Sequence, residues 1–388
     1  MLIFHQAGHN SVWNEKSLAK NIGDGLIISP VHWDFDKVSG LDNAIKKVSL
    51  FDPQFYVPDS QKTRLNSYKF FPENFMNGFS TDDYVAVAYD AAALCVDFQI
   101  ENNFRALLIP ARYYNDMFTD FIEKQKVFSV DPFLNYIEKK TVKKDIFLTL
   151  PLTAAMIADK KYRVQLLNWV TSYPQINGVY ILVTFDETLK QICSHQKLLD
   201  YIDFIKELSI ADLKVICGYC NTEAILWAIL SPYAVTIGAY ENTRRFSIDK
   251  FLDDESEVRG PAPRIYFPKL LNWVRYDTAM EIKEDFPSLW KKIYTPTKDL
   301  QSLLKAGTRP HFTKPELYSH HFELIHEQIR EVASLSKVTD RIRLVKEWID
   351  AANVLYNEIQ SNGILFYDSN CKGEHLPAWN RVIRKITQ

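Results

Sequence analysis

The chain has little of what marks fibrous or disordered proteins. Its 12 glycines and 17 prolines among 388 residues are too few for a collagen-like repeat or a Gly/Pro-rich disordered chain. Charge of one sign is missing too: 46 Lys and Arg against 48 Asp and Glu leave a net charge of −2, which gives no global reason to expect a polyanionic partner. No apolar run reaches the roughly 18 residues of a membrane span, so no membrane association is expected. The opening MLIFHQAGHNSVWNEK has no basic segment followed by an apolar stretch and a small-residue cleavage site, which argues against a secretory signal. Cysteine is scarce and odd in number: Cys95, Cys193, Cys217, Cys220 and Cys371 fit a reducing, cytoplasmic setting better than a disulfide framework.

What is present is apolar. The chain is 47% hydrophobic and 13% aromatic, enough for a large core, and its length suits one domain of about 250 to 300 residues with a smaller second one. Short apolar runs bounded by turn signals recur at 25–29 (GLIIS), 48–51, 105–109 (RALLI), 145–150 (DIFLTL), 178–183 (GVYILV), 213–217 (LKVIC), 235–237 (VTI) and 264–267 (RIYF). Between most of them lie segments of helical period, such as 83–100 with Val85, Ala88, Ala92, Cys95 and Val96 on one face. Strands that are apolar on both faces and alternate with helices imply a parallel sheet covered on both sides. Eight such units predict an α/β fold, a (β/α)8 TIM-type barrel over residues 1–290. An open doubly wound sheet is the alternative, but no Gly-x-Gly-x-x-Gly follows the first run to form a dinucleotide crevice. The MLIFHQ opening could add a strand at the barrel bottom.

From about residue 291 to 388 the alternation gives way to helices. Thr313-Lys314-Pro315-Glu316 has the form of a capping box that launches a helix to about Leu335. Ile342, Val345, Ile349, Ala352, Leu355 and Ile359 mark the apolar face of a second helix ending near Gly363. This region is expected to be a C-terminal helical appendage. The long excursion 57–82, with Phe70, Phe71 and Phe75, exceeds ordinary loop length, and such loops are often functional lids.

In a barrel, chemistry gathers where the strands end. Asp52, Asp186 and Glu241 each follow a predicted strand and are the candidate catalytic carboxylates, able to act as nucleophile or base in glycosyl-bond chemistry. Arg112, Tyr113, Tyr219, Asn221, Tyr240, Asn242, Arg244 and Arg245 are the candidate ligand-binding set, because rings stack on planar ligands and guanidinium forks grip phosphates. Arg244, Arg245 and Lys269 fall after the last two runs, the usual phosphate position. A phosphate-bearing or nucleotide-like small molecule is therefore the expected ligand, bound without a cofactor. The alternative is a non-catalytic barrel that recognises nucleic acid or a protein partner. Cys217 and Cys220 supply two of the four ligands that a structural zinc site needs, so no metal is expected, and His320, His321 and His326 lack the i, i+4 spacing of a metal helix.

The segments Asp24-Gly25-Leu26-Ile27-Ile28-Ser29-Pro30, Asp52-Pro53-Gln54-Phe55-Tyr56-Val57-Pro58, Gly218-Tyr219 and Gly238 to Phe246 resemble those of uncharacterised bacterial TIM-barrel proteins. In outline these are similar to the tRNA-guanine transglycosylase superfamily. That resemblance, over about residues 24–270, implies exchange of a guanine-type base through an aspartate nucleophile. The superfamily's zinc-binding Cys-x-Cys-x-x-Cys and its Gly-Gly base-pocket signature are not in this sequence.

Overall fold

The computed structural model describes residues 1–9, 11–75, 81–252 and 260–387. Eight parallel strands form one sheet: β1 (Leu2–Gln6), β2 (Gly25–Ile28), β3 (Leu50–Phe51), β4 (Leu107–Ile109), β5 (Ile146–Thr153), β6 (Gly178–Thr184), β7 (Lys214–Cys217) and β8 (Ala234–Gly238). Their order, β3-β2-β1-β8-β7-β6-β5-β4, bends into a nearly closed barrel. The two edge strands meet where the Arg105 N–H donates to the Ser49 carbonyl at 2.9 Å. Strand residues such as Ile27, Leu108, Phe147 and Ile181 are fully buried, as a sheet covered on both faces requires.

The barrel thus has the predicted (β/α)8 form, with one exchange of strands. Leu2–Gln6 is not an addition at the bottom but a full barrel strand, paired to β8 through Ile3 opposite Val235 and to β2 through Phe4 opposite Gly25. Arg264–Phe267, read as the eighth barrel strand, is instead β9. It pairs antiparallel with β10 (Asn272–Arg275) in a separate hairpin. Lys269 sits in the hairpin turn Pro268–Leu270, away from any barrel-strand end.

The C-terminal helices do not stand apart. The helix Pro315–Ser334 packs on Ser11–Ala19 and Ala224–Ala228, and Leu376–Thr387 packs on His195–Ile210. Phe322 meets the His5 ring of β1 edge-on with centroids 4.6 Å apart, and the buried residues of barrel and helices form one continuous core. In this seam His5, His320 and His375 are buried, and burial lowers each to about 4. Backbone carbonyls of Ile22, Tyr266 and Leu271 meet their ring nitrogens at 2.7, 2.9 and 3.1 Å. No helix among the described residues is long and apolar enough to cross a membrane.

Candidate functional site

Two arrangements occupy the C-terminal end of the barrel. The first lies on its axis. Asp52, at the end of β3, is fully buried and accepts the Tyr56 hydroxyl on both oxygens at 2.7 Å and the Gln54 N–H at 3.1 Å. Burial pushes its carboxyl up to about 7 in spite of these hydrogen bonds. The network continues from Gln54 to the Tyr219 hydroxyl at 3.3 Å, and from Tyr180 through Gln6 to Ser29 at 3.1 and 3.3 Å. Gln54 and Tyr219 hold positive φ of 58° and 53°, a conformation that side-chain-bearing residues adopt only when their surroundings impose it. The Lys250 ammonium sits 3.6 Å from the Tyr219 ring centroid. Asp52 is therefore a satisfied interior carboxyl.

The second arrangement lies off the axis, where the loops after β6, β7 and β8 converge. Two adjoining hollows of about 480 and 710 Å³ share Lys190, Gln191, Asn221, Arg244 and Arg245 as walls. Arg244 comes from the short helix Glu241–Arg244 that follows β8. The turn into it needs glycine at 238, where a Cβ would lie 2.4 Å from the Thr243 carbonyl oxygen. The Arg244 guanidinium lies 4.1 Å over the Trp273 ring of β10, a cation–π contact. It is 7% exposed, and its Nε and Nη1 find no hydrogen-bond acceptor among the described residues. Burial lowers its pKa to about 10, so it stays cationic at neutral pH. Buried donors without acceptors are costly, by about 1–3 kcal/mol or more for a charged group.

The neighbouring cations already have partners. Lys190 pairs with Glu241. Arg245 donates to the carbonyls of Phe185, Glu187 and Leu189, the last two at 2.9 and 3.3 Å. Arg264 of β9 pairs with Asp368. Asn221 donates to the Lys190 carbonyl at 3.2 Å while its Oδ1 is buried without a donor. Glu223, 3% exposed in the smaller hollow, accepts the Ile192 N–H at 2.6 Å. Burial pushes its carboxyl up to about 7, against that hydrogen bond and the pull of Arg244.

Of the residues singled out from sequence, Tyr219, Asn221, Glu241, Asn242, Arg244 and Arg245 line one or both hollows. Tyr113 lies nearby, its hydroxyl 3.1 Å from Thr184 Oγ1 and its ring 6.1 Å from that of Phe246. The remainder are elsewhere. Asp186 is exposed and lines neither hollow. Arg112 stacks on Phe128 at 3.6 Å and is tied to Gln125. Tyr240 packs among Trp13 and Tyr318 in the seam with the C-terminal helices. Phe70 and Phe71 of the long excursion are buried in a ring cluster; residues 76–80 of that excursion lie outside the described residues. Cys217 and Cys220 are buried thiols, and no group of three or more metal-ligating side chains occurs among the described residues.

Lys190, Arg264, Trp273 and Asn370 are not among the residues read from sequence as following a strand, whereas Glu223 is. Glu223 alone carried a usable signal, since it follows β7 closely. Trp273 and Asn370 reach the site from a hairpin and from a segment far along the chain. No protein-family model, curated protein or solved structure matches the chain.

Proposed function

We infer that this protein binds a small molecule through an oxyanion group at the mouth of β6–β8, a phosphate-bearing, nucleotide-like ligand being the class that fits. The observation that carries this reading is Arg244, a wall of both hollows that is buried over Trp273 with two donors unsatisfied. Its position after β8 is where barrels commonly hold phosphate. Phe185, a partly exposed ring of the adjoining hollow, offers a face to a planar body.

Titration of the full chain with inorganic phosphate in a calorimeter tests it. Wild type should bind, and Arg244→Ala should lose about 1.5 to 3 kcal/mol of that affinity, the range for a hydrogen bond to a charged group. Asp186→Asn, altered outside both hollows, should bind as wild type does. Equal phosphate affinity in wild type and Arg244→Ala would remove the basis of the reading.

A second reading, turnover at the same site, is favoured by Glu223. A carboxyl held near 7 is protonated often enough at neutral pH to give a proton to a leaving group, as N-glycosidic cleavage requires. In that chemistry Glu223 would act as general acid while Arg244 holds the substrate's anion.

A further inference from the structure

The candidate site is completed from the far end of the chain. Asp368 and Asn370 lie about 95 residues beyond Trp273, yet both reach the mouth of the barrel. The Asn370 side-chain oxygen accepts the Lys190 N–H at 2.8 Å, and its carbonyl accepts the Asn272 side chain at 3.0 Å. Asp368 in turn accepts the Asn370 N–H and side-chain amide at 3.0 and 2.9 Å. The same carboxylate binds Arg264 and lies 3.4 Å from Arg275 Nε. Arg264 spends its other terminal nitrogen on Cys371 Sγ at 3.3 Å, which leaves only its Nε without a partner.

The segment therefore acts on the charge of the hollow. Were Asp368 neutral, Arg264 would stand uncompensated in the wall it shares with Arg244, a pair suited to a doubly charged anion. With Asp368 seated, Arg264 is neutralised, Lys190 is neutralised by Glu241, and Arg245 is held by three backbone carbonyls. Resting on the oxyanion reading above, we propose that Asp368 is a specificity-determining residue. By pairing with Arg264 it leaves Arg244 as the guanidinium that, among the described residues lining the hollows, keeps two donors without partners, and so selects a singly charged oxyanion over a dianion. The ligand group is then a phosphodiester or a carboxylate. A second negative charge would have to leave water without a second cation released from its own partners, and a poorly compensated charge in a buried site is disfavoured. Asp368 is ionised throughout the neutral range: burial works against its charge, but Asn370 and Arg264 hold its carboxyl down to about 2.

Three probes separate charge from shape: dimethyl phosphate, a tetrahedral monoanion; sulfate, a tetrahedral dianion; and acetate, a planar monoanion. Each is titrated into the full chain at fixed ionic strength and pH. Wild type should bind dimethyl phosphate or acetate at least fivefold more tightly than sulfate, and the better of the two tells phosphodiester from carboxylate. Asp368→Asn should raise sulfate affinity at least tenfold. Sulfate bound by wild type as tightly as the better monoanion would overturn the proposal while leaving the oxyanion reading intact, and this comparison needs no variant to fold. Sulfate affinity unchanged in a folded Asp368→Asn would overturn the role of Asp368. Failure of all three probes to bind wild type would overturn the oxyanion reading and the proposal with it.

Discussion

Between β3 and β4 the chain packs rings against one another, whereas after β6, β7 and β8 it lines the barrel mouth with charge. On the first side Phe51, Tyr68, Phe70, Phe98 and Phe104 interlock with centroids 4.9 to 6.4 Å apart, and all are essentially buried. On the second side Lys190, Glu223, Glu241, Arg244 and Arg264 surround open space. Both sides begin from the same parallel strands. The difference teaches that a barrel can use its loops in two ways: as a plug that adds to the core, or as a frame that holds polar groups apart. Rings close a gap because dispersion and apolar burial favour contact. A hydrogen-bonded frame keeps its hollow because the charged groups around Arg244 are fixed by partners before any ligand arrives.

The largest effect should follow from breaking the plug. Phe51→Ala removes a fully buried ring and should lower unfolding free energy by about 3–5 kcal/mol, read from urea denaturation, while phosphate affinity changes less than twofold. An equal loss of binding would mean that the two sides are not independent.

A smaller effect sharpens the contrast between the sealed axis and the open hollow. Asp52 and Glu223 both carry carboxyls pushed up to about 7 by burial. Between the ordinary carboxylate pKa and 7 the folded protein keeps a proton that the unfolded chain has released, so each group lowers stability as pH rises through that window. The loss is roughly 3 to 4 kcal/mol per group by pH 8. Asp52→Asn and Glu223→Gln abolish it, so the stability of each variant relative to wild type should climb between pH 4.5 and 8. Only Glu223→Gln should also alter the pH dependence of phosphate binding, because only Glu223 faces the hollow. A difference that stays flat with pH in both variants would contradict this.

The barrel was legible in the sequence because seven of the apolar runs are strands buried on both faces. β1 was harder to place, since His5 and Gln6 interrupt its apolar run; each is satisfied by partners that only the fold supplies, Asn14 and Ile22 for one and Tyr180 for the other. The run Arg264–Phe267 misled because a hairpin strand buried under helices is as apolar as a barrel strand. Its turn offers no glycine or asparagine, with Leu271 taking the left-handed conformation at φ 51°. The cationic part of the site was legible in Arg244 and Arg245, which directly follow a strand end. Its counter-charges were not: Asp368 meets Arg264 across 104 residues, and no local pattern records a contact of that separation.

The account stands on Arg244 as the group that meets the ligand. The most direct measurement is the ¹⁵N–¹H resonance of its guanidinium Nε–H while inorganic phosphate is added to the full chain. The predicted result is a shift of that resonance that saturates with phosphate, with the Asn221 side-chain amide following it and the axial amides of Gln6 and Gln54 unmoved. A saturating shift in the axial amides or in another arginine, with Arg244 unchanged, would contradict it.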